Sequence, residues 1–164
     1  MTGVPAATAD SSTVLVRRGL LALTLATICA IAFELATVRH WNDLDQAVPW
    51  AALFLLTVAT LFSLRGAGWT RIVARVLALV VFGAAIYGVI DHTIANYESG
   101  PLDQRFAESW ESLSATQQWW YAFTKHVGPS PTLAPGALSL GAALLLLATL
   151  IDPRNVLMRK ESNE

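Results

Sequence analysis

The sequence predicts an all-α membrane protein, a bundle of four transmembrane helices with one short interfacial helix outside the cytoplasm. Hydrophobic residues make up 54% of the 164 residues and charged residues only 14%, which is too apolar for an ordinary soluble domain. Four apolar runs are each long enough to cross a bilayer core of about 30 Å. These runs are rich in Leu and Ala without alternation, as expected of helices rather than barrel strands.

The predicted spans cover residues 19–38, 47–64, 72–91 and 133–151. The second and fourth spans contain no charge. The first contains Glu34, and the third contains Arg75 and ends at Asp91. Because Arg75 lies near the start of its span, its side chain is expected to extend toward the interface.

The basic residues predict the orientation. Eight of the eleven fall on one side of the predicted membrane, namely Arg17, Arg18, Arg65, Arg71, Arg75, Arg154, Arg159 and Lys160. Arg39, Arg105 and Lys125 fall on the other side. Since basic residues near span ends are retained in the cytoplasm, both termini are predicted to be cytoplasmic in a multi-pass protein of the bacterial plasma (inner) membrane.

This topology divides the chain into three parts. Residues 1–16 are predicted to be a disordered cytoplasmic leader, residues 17–154 the four-span domain, and residues 155–164 a cytoplasmic tail. An alternative is a signal peptide cleaved before Phe33, because two arginines precede an apolar run and a small-residue site. The apolar sequence resumes after that site, which favours an uncleaved span.

The connection 92–132 is predicted to lie outside the cytoplasm. Its Gly100-Pro101 pair predicts the end of the third helix, and Ser114 with Gln117 forms a capping-box pattern that predicts a helix over 115–125. This helix carries Trp119, Trp120 and Phe123, a predicted outer aromatic cap. It is interpreted either as an anchor at the membrane surface or as an aromatic wall over a site.

Polar residues gather at the outer ends of the first and third spans. Glu34 follows Arg18 by sixteen residues, and Asp91 follows Arg75 by sixteen, so both carboxylates are predicted at the same depth, about 24 Å from those arginines. The candidate site consists of Glu34, His40, Asp91 and His92. Such a group could bind a divalent metal, relay a proton, or lock the helices together through an ion pair of Glu34 with Arg39, Arg105 or a histidine.

Three classes of function therefore stay open. The first is a non-catalytic accessory protein that binds another membrane protein, or a second copy, through its extracytoplasmic face. The second is an outer-facing binder of a metal or another small ligand, and the third is a proton-coupled carrier of small molecules. The sequence contains no P-loop, GxGxxG, HExxH or GxSxG pattern, so an enzyme is the less favoured reading. The dispersed basic residues argue for the lipid bilayer rather than nucleic acid as the partner.

The stretches ELATVRHW, QAVPW and GPLDQRF, followed by WW and GPSPTLAPG, resemble small uncharacterised bacterial membrane proteins that share this arrangement over most of the chain. The resemblance implies a four-span fold and no particular activity.

Small multidrug transporters also have four spans and a carboxylate in the first helix. This chain departs from them in its long outer loop and in the position of Glu34 nearer the boundary.

Overall fold

A computed structural model describes the backbone of residues 6–65 and 68–151 and the side chains from Ser12 onward in those ranges. Over these residues the regular secondary structure is helical, without a strand, which confirms the predicted all-α class. The α-helices are α1 (Ala6–Thr37), α2 (Leu44–Arg65), α3 (Gly68–Glu98), α4 (Ala115–Phe123) and α5 (Gly136–Leu150). The predicted tail 155–164 and the basic residues Arg154, Arg159 and Lys160 lie outside the described residues.

Three helices are long and apolar enough to cross a membrane. They are Ser12–Thr37, Leu44–Arg65 and Gly68–Glu98, about 39, 33 and 46 Å long at 1.5 Å per residue. The helix within the fourth predicted span, α5, has 15 residues and is about 22 Å long. At the other end of the chain α1 begins at Ala6, so helix extends into the segment 1–16 for which the sequence predicts a disordered leader.

The start of α5 is shortened by proline. Residues 131–135 form turns in which Ala134 donates to the Pro131 carbonyl and Gly136 to the Leu133 carbonyl. Proline has no N–H to donate to the carbonyl four residues earlier, and its ring clashes with that carbonyl in an α-helix. The apolar run that begins at Leu133 therefore enters the bundle as a turn and becomes α-helix only from Gly136.

Four helices, α1, α2, α3 and α5, share one apolar core. Both α1 and α3 pack against α2 and α5 and make little contact with each other, so they lie on opposite sides of the bundle. Leu56, Val81 and Leu145 are fully buried between the helices. A Cβ on Gly141 would lie 3.1 Å from Leu56 and 3.2 Å from Thr27, so glycine permits the close approach of α5 to α1 and α2.

The outer surface of this bundle is apolar. Large side chains on all four helices have more than half of their area exposed: Leu23, Phe54, Ile72, Leu79 and Leu147. An apolar surface this extensive is far larger than the isolated patches of soluble proteins. It is the surface expected where helices face lipid.

One end of the bundle is closed by arginine. An Arg17 terminal nitrogen donates to the Ser63 carbonyl at 2.6 Å. The Arg75 guanidinium donates to the Thr149 carbonyl at 2.7 Å and to its hydroxyl at 3.1 Å. Arg75 therefore binds the C-terminal end of α5, where carbonyls lack intrahelical donors and a cation is favourable, instead of only extending toward an interface.

The segment between α3 and α5 folds over the opposite end. As predicted, α3 ends before Gly100-Pro101, at Glu98, and α4 begins at Ala115 after the N-cap Ser114, which forms the capping box with Gln117. The helix ends at Phe123, earlier than predicted, because Lys125 has a left-handed φ of 57°. Beside α4 lies a small second core, here called the loop core, formed by Trp110, Ala122 and Val127 with Tyr97, Phe106, Leu113 and Tyr121 packed on it.

Candidate functional site

A cavity of about 420 Å³ opens at the end of the bundle that carries the loop core. Residues from α1, α2, α3 and α5 line it, together with the α1–α2 connection and the turn before α5. Its volume falls within the range of small-molecule sites, and a position between helices of a bundle is common for such sites.

All four predicted site residues line this cavity. Glu34 comes from α1, His40 from the α1–α2 connection, and Asp91 and His92 from α3. Although α1 and α3 make little contact, the structure brings their carboxylates to one space. The equal spacing from the arginines predicts a common depth for the two carboxylates but not that they line one cavity.

The four residues do not form a metal-ligand set. Among the residues that the structure describes, no group of three or more His, Cys, Asp or Glu side chains could hold a metal ion. Metal ligands must lie within about 2–2.6 Å of one ion, whereas here the carboxylates and imidazoles lie around a larger space. The predicted metal site therefore lacks a coordination geometry in the described part of the chain.

The two histidines are held by different contacts. His92 Nδ1 lies 3.0 Å from the Pro131 carbonyl. A carbonyl only accepts, so Nδ1 carries the hydrogen, and in the neutral ring Nε2 is an acceptor. The backbone carbonyl of His40 accepts a 2.6 Å hydrogen bond from Trp50 Nε1, which fixes the α1–α2 connection against α2.

Sequence reasoning missed a third carboxylate, Asp45, which also lines the cavity with Gln46 and Pro49. A signal for it was present. The connection after α1 is only six residues long, so α2 must return antiparallel and its first turn must lie at the depth of Glu34. Tyr87, on α3, is a further lining residue that the spacing argument did not select.

The carboxylates in the cavity lining are not balanced by Lys or Arg among the described lining residues. Glu34, Asp45 and Asp91 contribute three carboxylates, and none of the described residues that line the cavity is Lys or Arg. The structural interpretation gave Arg39, Arg105 or a histidine as the partner of Glu34, and of these Arg105 binds another carboxylate. Arg105 donates instead to both carboxylate oxygens of Asp103, at 2.7 and 3.0 Å, because the two residues share one turn.

That pair belongs to the outer loop. The Arg105 side chain and then its backbone N–H donate to the Asp103 carboxylate and hold the pKa of that carboxyl well below its ordinary value of 3.8. Asp103 therefore stays ionised throughout the neutral range, and the loop turn it stabilises does not change with pH there.

One wall of the cavity is anchored by Asn96, which is fully buried. Its Nδ2 donates to the carbonyls of Ser130 (2.8 Å) and Ala122 (3.1 Å), and its Oδ1 accepts from the Ser130 N–H at 2.8 Å. Gly128, with a φ of 78°, passes so close that an added Cβ would lie 2.6 Å from the Asn96 Cα. Asn96 thus holds the segment 129–131, which lines the cavity, against α3.

The predicted aromatic cap lies elsewhere. Trp119, Trp120 and Phe123 line a shallow depression with Ala115 and Thr116, and none of the three lines the cavity. Trp119 stacks on Tyr97 with ring centroids 4.4 Å apart. These three rings therefore do not contribute to the cavity that the carboxylates line. The buried tryptophan of this region is Trp110, which the sequence analysis did not select.

Comparison of the chain with known protein families, with curated proteins and with solved structures finds no match. The resemblance to small bacterial membrane proteins stays a prediction. The function proposed below therefore rests on the cavity.

Proposed function

We propose that this chain is a four-span membrane protein that binds a small ligand in the cavity at the outer end of its bundle. The cavity carries this proposal. It is concave, formed by all four helices of the bundle, and lined with apolar side chains and a few polar groups, which is the character of ligand sites. A concave site favours a small ligand over the accessory role of binding a partner protein. The metal-binding and proton-carrier functions stay predictions.

The four-span topology rests on the position of charge. Arg17 and Arg75 bind helix ends at one end of the bundle, and the three cavity carboxylates lie at the other. Basic residues mark the cytoplasmic side, so both termini are cytoplasmic and the cavity faces outward. The turn residues before α5 are apolar and lengthen that short helix into a span of about 19 residues.

The outer leaflet is the proposed contact of α4. Its depression, lined by Ala115, Thr116, Trp119, Trp120 and Phe123, has no charged side chain. Trp119 stacks on Tyr97, which follows Asp91 by six residues and so lies about 9 Å further out along α3. That height corresponds to the headgroup layer, where tryptophan is enriched.

Thiol labelling tests this topology. In a Cys29→Ala background, which removes the one native cysteine, the exposed positions Glu108 and Gly68 are each changed to cysteine. A membrane-impermeant maleimide is expected to label Glu108→Cys in intact cells and to label Gly68→Cys only after lysis. Thr116→Cys is expected to react from outside, more slowly than Glu108→Cys. Labelling of Gly68→Cys and not Glu108→Cys in intact cells would invert the topology.

Filling the cavity tests ligand binding. We expect at least one class among neutral, anionic and cationic aromatic compounds to raise the melting temperature of the purified full chain by several degrees, since ligand at 100 times its Kd adds about 2.7 kcal/mol. Ala84→Phe places a ring into the cavity lining and is expected to remove that shift. Ala51→Phe, on an exposed position of the same bundle, is the matched control and should retain it. A shift that survives in Ala84→Phe, or no shift with any class, contradicts the proposed function.

A further inference from the structure

The three carboxylates are the acidic side chains of the cavity lining. Its carboxylates come from three different helices, so the charge surrounds the space. Among the described lining residues no Lys or Arg offsets them. The His92 Nδ1 hydrogen is used by the Pro131 carbonyl, so the uncharged form of the ring has its acceptor at Nε2. Pro49 has no N–H to donate to the carbonyl of Asp45 within α2, which leaves that carbonyl without its usual helical donor.

Most of the remaining lining is apolar. Ile31, Leu35, Val48, Ala52, Ala84 and Leu138 contribute hydrocarbon from all four helices. Burial of an apolar ligand surface against them would contribute roughly 25 cal/mol per Å². A hydrated inorganic ion has no such surface, and the described residues supply no metal-ligand set. Tyr87 adds an aromatic ring to the same lining, and aromatic faces attract organic cations.

From this combination we infer that the ligand is an organic monocation with an apolar body, such as an aromatic amine or a quaternary ammonium compound. This inference rests on the proposed ligand site and names its ligand class. The cationic group lies among Glu34, Asp45 and Asp91, and the body lies against the aliphatic walls. An anion of the same shape is rejected, because it would bring its charge to three carboxylates, and no Lys or Arg among the described lining residues would offset them.

An isosteric pair of probes tests the charge requirement. Benzyltrimethylammonium and neopentylbenzene have the same shape and differ in one atom, a charged nitrogen in place of a carbon. Benzenesulfonate supplies the anionic comparison. We expect the full chain, in nanodiscs of zwitterionic lipid, to bind the ammonium compound at least tenfold more tightly than neopentylbenzene and to show no binding of benzenesulfonate by calorimetric titration.

Carboxylate variants locate the charge. Glu34→Gln and Asp91→Asn are each expected to weaken ammonium binding by about tenfold. Glu108→Gln, which makes the same charge change at an exposed loop position, should leave it unchanged. Should Glu34→Gln fail to fold, Asp45→Asn provides the same measurement from α2. Unchanged affinity in the folded carboxylate variants overturns the inference.

The outcomes separate this inference from the proposed function. If neopentylbenzene or benzenesulfonate binds as well as the ammonium compound, and Ala84→Phe removes that binding, the cavity is a ligand site but the cation inference is wrong. If Mn²⁺ alone binds in a Glu34-dependent way and the ammonium compound does not, the ligand is a metal ion and the inference is again wrong. If no compound binds, both the inference and the proposed function fail.

Discussion

Asn96→Ala is expected to lower the free energy of unfolding by about 3 kcal/mol, because the buried Asn96 side chain loses three hydrogen bonds at once, each worth about 1 kcal/mol. The Asn96 amide joins α3 to the carbonyls of Ala122 and Ser130 and to the Ser130 N–H. Alanine would leave the Ser130 N–H and carbonyl without these partners, whereas the Ala122 carbonyl keeps its contact with the Lys125 N–H at 3.3 Å. Unsatisfied buried groups cost about 1–3 kcal/mol each, so the loss exceeds that of an ordinary substitution.

Reversible unfolding in mixed micelles measures this loss. Asn42→Ala is the control, because Asn42 is exposed and its side chain donates one long hydrogen bond of 3.3 Å. Its cost should stay within about 0.5 kcal/mol, as for most surface positions. Equal stabilities of the two variants would contradict the role assigned to Asn96.

The same substitution should act on the cavity. Pro129, Ser130 and Pro131 line it, and Asn96 is their attachment to α3. Without that attachment the segment is free to move, and a ligand must order it on binding, which reduces affinity. The Asn96→Ala protein that still folds is therefore expected to bind more weakly any compound that binds the native cavity.

The long helices could be predicted from sequence because their signal is local. Apolar runs of about 20 residues leave the backbone no partner in lipid except itself, so α2 and α3 follow from hydropathy, and the capping box locates the start of α4. The matched depth of Glu34 and Asp91 needed only the helical rise. These predictions use distances along a single helix.

The remaining features depend on contacts between segments. Hydropathy measures the free energy of transferring side chains from water to lipid. It contains no term for the missing N–H of Pro131 and Pro135, so it overestimates the length of α5. Asp45 joined the site because α2 returns beside α1, which the spacing argument did not follow. Similarly, composition treats Trp110 and Trp120 alike, although Trp110 is 2% exposed and Trp120 is 59% exposed.

Gly100 explains why Trp110 is the buried tryptophan, and a substitution at Gly100 is expected to have a large effect on stability. A Cβ at Gly100 would overlap the indole ring of Trp110, in a place closed by Tyr97, whose ring lies 5.6 Å away edge-on. Gly100→Ala is therefore expected to expel the indole from the loop core. Loss of a buried tryptophan costs about 3–5 kcal/mol, so local stability should fall by a comparable amount.

A double-mutant cycle with Trp110→Leu separates this clash from a backbone effect. If the indole is the obstacle, Gly100→Ala should cost much less when Trp110 is already leucine. Gly83 is a helical glycine with open space where a Cβ would be added, so Gly83→Ala should leave the stability unchanged or increase it. Because the loop core is distinct from the bundle core, circular dichroism should show the long helices retained while amide exchange increases over α4. The same cost of Gly100→Ala in both backgrounds would mean that the glycine serves the backbone and not the ring.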